Sequence, residues 1–394
     1  MPGENFLKKA EKIKNIKKFE KVFFDAVNKN KNIVLYSDSD PDGACCAVIL
    51  KEALELLGRK PKKVYFPDRE KEGYGLNFRA IEKLKKYAPG LLIVTDCGTT
   101  SVQEVELAKK YGFEVAIIDH HVVFSKTPRA IFINLHQKGD KFYFKELCAA
   151  GLVYVIVKYL FLKNKISFSP ESFLELAMLA TIADRVPLVS LNKEIVEQGI
   201  EALKITKRPA LKVLKNKTKL RQYTLDKINY KIVHVLGAGY NERNINKTYK
   251  FLIERNDEKL NKMSDELTHS LQVKYYEIQR IVDEVEERLK VKGINEFIFE
   301  GSHDWQLFYL GPAASRLIEK YKVPVFLYHI LKDVKEAVGA VRSTDKIDSV
   351  KAMQNCKKYL LLYGGHPKAS GFRIKIENLS DFYYCLLNYI KKNK

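Results

Sequence analysis

Between Asn32 and about Val123 the chain alternates short apolar runs with amphipathic stretches. NIVLYS, KKVYF, LLIVTD and EVAIID read as buried strands, since short continuous apolar runs bounded by polar turns suit strands covered on both faces. The segments after the first three carry apolar residues at helical spacing. This rhythm predicts a parallel sheet built from βαβ units. ELCAAGLVYVIVKYL and ESFLELAMLATIADRVPL then read as helices packed on that sheet, the second ending at Asp184. The pattern changes at about residue 196: the chain becomes Lys-rich and poor in strand signals, and ends in a long helical stretch from roughly Asp257 to Lys290. From Asn295, FIFE, WQLFYL, PVFLYHI and AVGAVRS return to strand-like runs, with GPAASRLIEKY a helix among them. The prediction is an α/β chain: a parallel-sheet domain over 1–195, a helical connector over 196–294 and a smaller α/β domain over 295–394.

The N-terminal FLKKAEKIKNIKKFEKVFFDAV has helical periodicity and reads as a packed surface helix. Its apolar stretches are too interrupted for a secretory signal, and no segment reads as membrane-spanning. At 394 residues with 46% hydrophobic positions, the chain can bury real cores and is not expected to be disordered. Its 69 Lys+Arg against 48 Asp+Glu leave a net charge of +21, which favours a polyanionic partner. A Lys- and Glu-rich surface of thermophile type is the competing explanation. The six cysteines, at 45, 46, 97, 148, 356 and 385, form no CxxC pair. Zinc fingers and thioredoxin-like chemistry are thereby disfavoured, and buried reduced thiols in a reducing cytoplasm are expected.

Candidate chemistry collects where the strands end: Asp38, Asp40 and Asp42 after NIVLYS, Asp96 after LLIVT, and Asp119, His120 and His121 after VAII. A polar turn reaching water would explain any one of them. Together they place carboxylates and imidazoles at the carboxyl ends of strands, where α/β sheets form their sites. Divalent metals that activate water take such ligands, and two ions can clamp a phosphoryl group between them. A calcium loop is the rival use of DxDxDG, but it requires Glu at its twelfth position, which here is Ile49.

In order and rough spacing, SDSDPDGACC, VTDCGTTS, IIDHHV and TIADRVPL resemble the four motifs of the DHH phosphoesterase superfamily. LLYGGHPKASGF looks like the GGHxxAxGF signature of the associated DHHA1 domain, and PDREKEGYGL and ELCAAGLVY resemble segments of RecJ-like single-strand nucleases. The resemblance spans about residues 32 to 372. It implies two Mn2+ or Mg2+ ions, Asp40 and Asp96 holding one, and Asp42, Asp96, His120 and Asp184 the other. It also implies that His121 faces the scissile phosphate, that Asp119 orients an imidazole, and that Arg342, Gly364, Gly365 and His366 contact the substrate phosphate. The chain departs from the family at Tyr36, where many members have a metal-binding His. Asp38 is the candidate substitute, with a helix cap or loop carboxylate as its alternative. A second departure is HVLGAGYNERN, where RecJ-like chains often carry Asn-Ala-x-Gly-Arg, and the chain after the GGH motif is too short for an added OB-fold. Trp305 and nearby Phe308 or Tyr309 could stack bases, although core packing is the better expectation for aromatics in this pattern.

By this resemblance the chain is expected to be a metal-dependent exonuclease on single-stranded DNA or RNA, working in repair or replication. The compact form is similar to archaeal relatives that digest 3′ to 5′. The alternatives are a phosphoesterase for very short oligonucleotides or phosphoadenosine phosphate, and an inactive replication scaffold of the same fold. Single-stranded nucleic acid is the implied partner, with a repair or replication helicase or factor possible. Exposed apolar positions in the connector allow a homo-oligomer, and no membrane association is expected.

Overall fold

The computed structural model describes residues 2–69, 72–73, 75–123 and 126–393. Part of PDREKEGYGL (Glu70, Lys71 and Tyr74) and the end of VAIIDHHVVF (Phe124) lie outside the described residues. The chain forms two compact units, Met1–Leu271 and Gln272–Lys394.

In the first unit, β1 (Asn32–Ser37), β2 (Lys63–Tyr65), β3 (Gly90–Thr95), β4 (Phe113–Ile118) and β5 (Ile131–Ile133) make one sheet in the order β2-β1-β3-β4-β5. Every pairing is parallel. The order reverses at β1 and β3, the place where such sheets bind ligands beyond their carboxyl ends. Four strands match the apolar runs. β5 leaves no signal in the sequence pattern, because a three-residue run carries too little periodicity to register.

Strand residues alternate between two cores. Ile33, Leu35, Leu91 and Ile93 face one cluster, shared with α2 (Ile16–Asn28), α3 (Pro41–Leu56), α6 (Ala149–Lys163) and α7 (Glu171–Ala183). Val34, Tyr36, Leu92 and Val94 face the other, with α4 (Phe78–Leu84) and α5 (Val102–Lys110). The N-terminal periodic stretch is two helices, α1 (Pro2–Ala10) and α2, separated at Asn15, which adopts φ 68°. Asn15 Nδ2 donates to Phe132 O (2.7 Å), anchoring this break to β5. Residues 190–271 add α8 (Ser190–Lys204), α9 (Pro209–Lys217), α10 (Leu225–Ile228), a π-turn (Asn229–Val233) and α11 (His234–Leu236). A two-residue hairpin, β6 (Asn241–Glu242) and β7 (Ile245–Asn246), leads to α12 (Lys247–Ile253) and to α13 (Asp257–Lys292), within which the unit boundary falls.

A buried cation ties these helices together. Arg208 donates to Glu52 on α3 (2.7 and 2.9 Å), to Glu175 on α7 (3.0 Å) and to the carbonyls of Ser172 and Leu252. Both helices carry site residues at their ends, so this ion pair also sets where those ends fall. Arg208→Ala leaves two carboxylates without their buried cation and is expected to cost about 3–5 kcal/mol in denaturant unfolding. A loss below about 1 kcal/mol would show that the site's frame does not depend on it.

The second unit has a sheet in the order β11-β12-β10-β9-β8, made of β8 (Ile298–Ser302), β9 (Val325–Leu331), β10 (Glu336–Arg342), β11 (Leu360–His366) and β12 (Ala369–Lys375). Only β8 and β9 pair in parallel. Its helices are α14 (Leu307–Tyr321), α15 (Ser349–Asn355) and α16 (Leu379–Lys392). WQLFYL, read as a strand, instead opens α14. Leu310, Ala313, Ala314 and Leu317 of that helix face one core, a helical spacing that overrides the local strand-like composition. Trp305 is fully buried, with its indole N–H on Glu284 (2.7 Å) and Arg288 against its ring, so it is a core residue.

The expectation of reduced thiols fails for one pair. Cys356 and Cys385 are joined as a disulfide, because the end of α15 and the body of α16 bring their Cα atoms to 5.9 Å across 29 residues of chain. Cys45, Cys46, Cys97 and Cys148 are free and buried. Among the described residues no helix is long and apolar enough to cross a membrane.

Candidate metal centre and phosphate-contact residues

Three strand ends and two helix ends of the first unit deliver the predicted acids and imidazoles to one place. The backbone after β1 carries Asp38 and Asp40 into α3, where Asp40 Oδ1 caps the helix by accepting from Gly43 N (3.1 Å). The helix-cap alternative entertained for Asp38 therefore belongs to Asp40. Gly43 is required there, since a Cβ would lie 2.2 Å from Asp38 O. Asp42, one residue into α3, accepts from Ala149 N (2.8 Å) and Ala150 N (2.7 Å) at the start of α6, where the helix dipole favours a carboxylate. Asp96 leaves β3 in the left-handed conformation, φ 59°, a geometry Asp tolerates. Asp184 caps the C-terminus of α7.

His120 gathers three of these. Its Nε2 lies 3.4 Å from Asp96 Oδ1, 3.7 Å from Asp184 Oδ2 and 4.0 Å from Asp42 Oδ2. Three sets place their ligand atoms within 4.8 Å of one another: Asp38–Asp40–Asp96, Asp42–His120–Asp184 and Asp96–His120–His121. Burial, joined by the neighbouring carboxylates, pushes Asp96 and Asp42 well above the usual carboxylate range. Burial and Asp40 push Asp184 up to about 7. Burial and the charge of His121 push His120 down to about 4.

Asp38, Asp42 and Asp96 are buried while Asp40 and Asp184 reach toward solvent, and Asp96 Oδ2 is buried with no hydrogen-bond partner in the structure, an arrangement that a bound cation would stabilise. Carboxylate oxygens joined by an imidazole suit hard divalent ions such as Mn2+ and Mg2+. The residues fit such ions.

His121 is held differently from His120. Its Nδ1 lies 2.7 Å from Asp119 Oδ1, while Asp119 Oδ2 accepts from Thr99 N (2.9 Å) and Thr99 Oγ1 (2.6 Å). Burial opposes charge on the His121 ring, but the Asp119 carboxylate prevails and pushes it up to about 9. Asn134, just beyond β5, donates to His121 O (2.8 Å) and Thr99 Oγ1 (3.0 Å). Neither Thr99 nor Asn134 carries a local sequence signal of this role. Asn134 sits beyond a strand end like the other site residues, but its strand was too short to be seen.

Within PDREKEGYGL no local pattern singles out Arg69, whose role depends on contacts distant in sequence. Its guanidinium grips Asp38 with two nitrogens and reaches Asp40 Oδ2 (3.3 Å). Tyr36 faces away from the acids, into the core with α4 and α5. Its hydroxyl donates to Gly75 O (2.7 Å) and accepts from Asn77 Nδ2 (3.2 Å).

In the second unit, Arg342 on β10 and His366 on β11 both register with Ala369 of the intervening β12, so they share one row of the sheet. Arg342 Nε donates to Ser315 Oγ (3.1 Å), and its guanidinium lies against Gly311. Gly365 has φ 129° and a Cβ there would meet Ala369 O at 2.6 Å, so its backbone requires glycine. Gly364 has open space where a Cβ would stand.

Residues 32–181 match the DHH family, N-terminal domain. The fold of the chain is RecJ-like. A solved structure of exonuclease RecJ bound to manganese aligns with TM-score 0.81 at 23% identity, over 96% of this chain and 95% of that one. RecJ from Thermus thermophilus, solved in complex with Mn2+, aligns with TM-score 0.84 at 21% identity, over 96% of this chain and 55% of that one. Among curated proteins, the single-stranded-DNA-specific exonuclease RecJ of Bacillus subtilis is 27% identical over 90% of this chain and 45% of its own length. The RecJ of Thermus thermophilus is 26% identical over 91% and 52%. The chain spans about half the length of these two curated relatives.

Proposed function

We propose that the chain is a divalent-metal-dependent exonuclease acting on single-stranded DNA or RNA. The observation that carries this reading is the cluster of acids and imidazoles beyond β1, β3 and β4, with its unpartnered Asp96 oxygen. The relatives named as single-strand-specific exonucleases, and the manganese-bound RecJ structures, support it. In this reading Asp40 and Asp96 hold one Mn2+ or Mg2+, and Asp42, Asp96, His120 and Asp184 hold the second. Asp38 completes the first site in place of the usual histidine, its ligand atom lying within 4.8 Å of those of Asp40 and Asp96. Such ions lower the pKa of water and neutralise phosphoryl charge. His121, oriented by Asp119, faces the scissile phosphate. Arg342, Gly364, Gly365 and His366 are phosphate contacts of the second unit, the guanidinium suited to two parallel hydrogen bonds. The net charge of +21 suits a polyanionic strand. Digestion from the 3′ end, a place in DNA repair or replication, and a helicase or replication factor as partner complete the reading.

Single strands labelled at either end and incubated with manganese test it. A ladder of products shortened from the 3′ end is expected. Turnover confined to the shortest oligonucleotides would favour a small-substrate phosphoesterase, and no turnover a scaffold. Arg342→Ala is expected to raise KM about tenfold, the scale of one lost charged hydrogen bond, with manganese binding unchanged in calorimetry. An unchanged KM would remove Arg342 from the substrate contacts.

A further inference from the structure

We propose that Tyr240 is the surface on which a nucleobase next to the cleaved phosphate stacks, an inference that rests on the single-strand reading above. The hairpin that follows Tyr240 is fastened to the acid loop. Asn241 Nδ2 donates to Ser39 Oγ (2.7 Å) and Pro67 O (2.6 Å), and Asn246 Nδ2 donates to Ser39 O (2.8 Å). Ser39 stands between Asp38 and Asp40. Tyr240 precedes Asn241, so its Cα lies about 3.8 Å from that of an anchor residue.

The side chain of Tyr240 is nevertheless 51% exposed and joins none of the apolar clusters. It is also held in place. Lys247 Nζ sits 4.3 Å from the ring centroid and is itself fixed by Glu266 Oε2 (3.0 Å). Lys247 N donates to Tyr240 O (3.0 Å), closing the hairpin over the same residue. An aromatic ring immobilised beforehand loses little freedom on binding, and single-strand sites use such rings as sequence-tolerant platforms for bases. The chain enters this region through the π-turn at Asn229–Val233, a distortion that recurs at functional sites. Core packing does not explain a half-exposed, cation-braced tyrosine beside the acid loop. Base stacking does.

The test uses the full chain with manganese, on single strands of one sequence and on the same strands with one abasic nucleotide placed at successive positions from the digested end. Tyr240→Ala is expected to raise KM about tenfold on the intact strand, the size of one lost stacking contact, with kcat within about threefold of the parent. Tyr240→Phe and Tyr240→Trp keep the ring and are expected to stay within about twofold. At one abasic position the tenfold gap between parent and Tyr240→Ala closes, because the base that would stack is gone, and at the others it persists. A gap that persists on every abasic strand, a loss confined to kcat, or a Tyr240→Phe as impaired as Tyr240→Ala would each overturn the assignment. A parent chain that neither binds nor cuts intact single strands would overturn the single-strand reading itself, before any variant is compared.

Discussion

Asp96→Ala is expected to reduce single-strand hydrolysis by at least about a thousandfold, because a shared metal ligand supports several kcal/mol of charge stabilisation at about 1.4 kcal/mol per tenfold in rate. The fold should survive. Asp96 is buried among like charges that press its carboxyl toward the neutral form, so its removal relieves repulsion in the metal-free protein. Alanine adds a separate cost of about 1–2 kcal/mol at φ 59°, which asparagine largely avoids. The metal-free Asp96→Asn protein should therefore melt at or above the parent. Manganese raises the parent's Tm by mass action on the folded state, and that rise should shrink or vanish in both variants. Activity within about tenfold of the parent, in a folded Asp96→Ala protein, would overturn the shared-ligand role.

How far this site could be read from the sequence depended on whether the relevant contacts were local. β1, β3 and β4 were visible because strands covered on both faces need uninterrupted apolar runs, and the acids stood out as charges ending them. The positioning network was not. Asn241 reaches Ser39 across 202 residues and Arg208 reaches Glu52 across 156, and no local pattern records such pairings. The same limit hid the partnership of Cys356 with Cys385. WQLFYL failed for another reason: its aromatic composition suits a strand, while the spacing that makes it helical becomes visible only with Ala313, Ala314 and Leu317. HVLGAGYNERN gives no local sign of its contacts, yet the folded hairpin donates to Ser39 of the acid loop from Asn241 and Asn246.

His121→Ala should slow turnover by about a hundredfold to ten-thousandfold, the range lost when a positioned acid or base is removed, while leaving manganese binding intact. The two neighbouring histidines have different surroundings. His120 Nε2 points among Asp42, Asp96 and Asp184, as a ligand would. His121 holds Nδ1 against Asp119, which is itself fixed by Thr99, so this pair orients the ring. If orientation is the task of Asp119, then Asp119→Asn should lower kcat by a smaller factor. The double variant His121→Ala/Asp119→Asn should then be no slower than His121→Ala alone, since residues that act as one unit are not additive. Fully multiplicative losses would show that Asp119 works through something other than this imidazole. Calorimetry decides the remaining assignment: loss of an ion-binding step in His121→Ala would move His121 into the ligand set with Asp96 and His120, whose atoms already lie within 4.8 Å of its own.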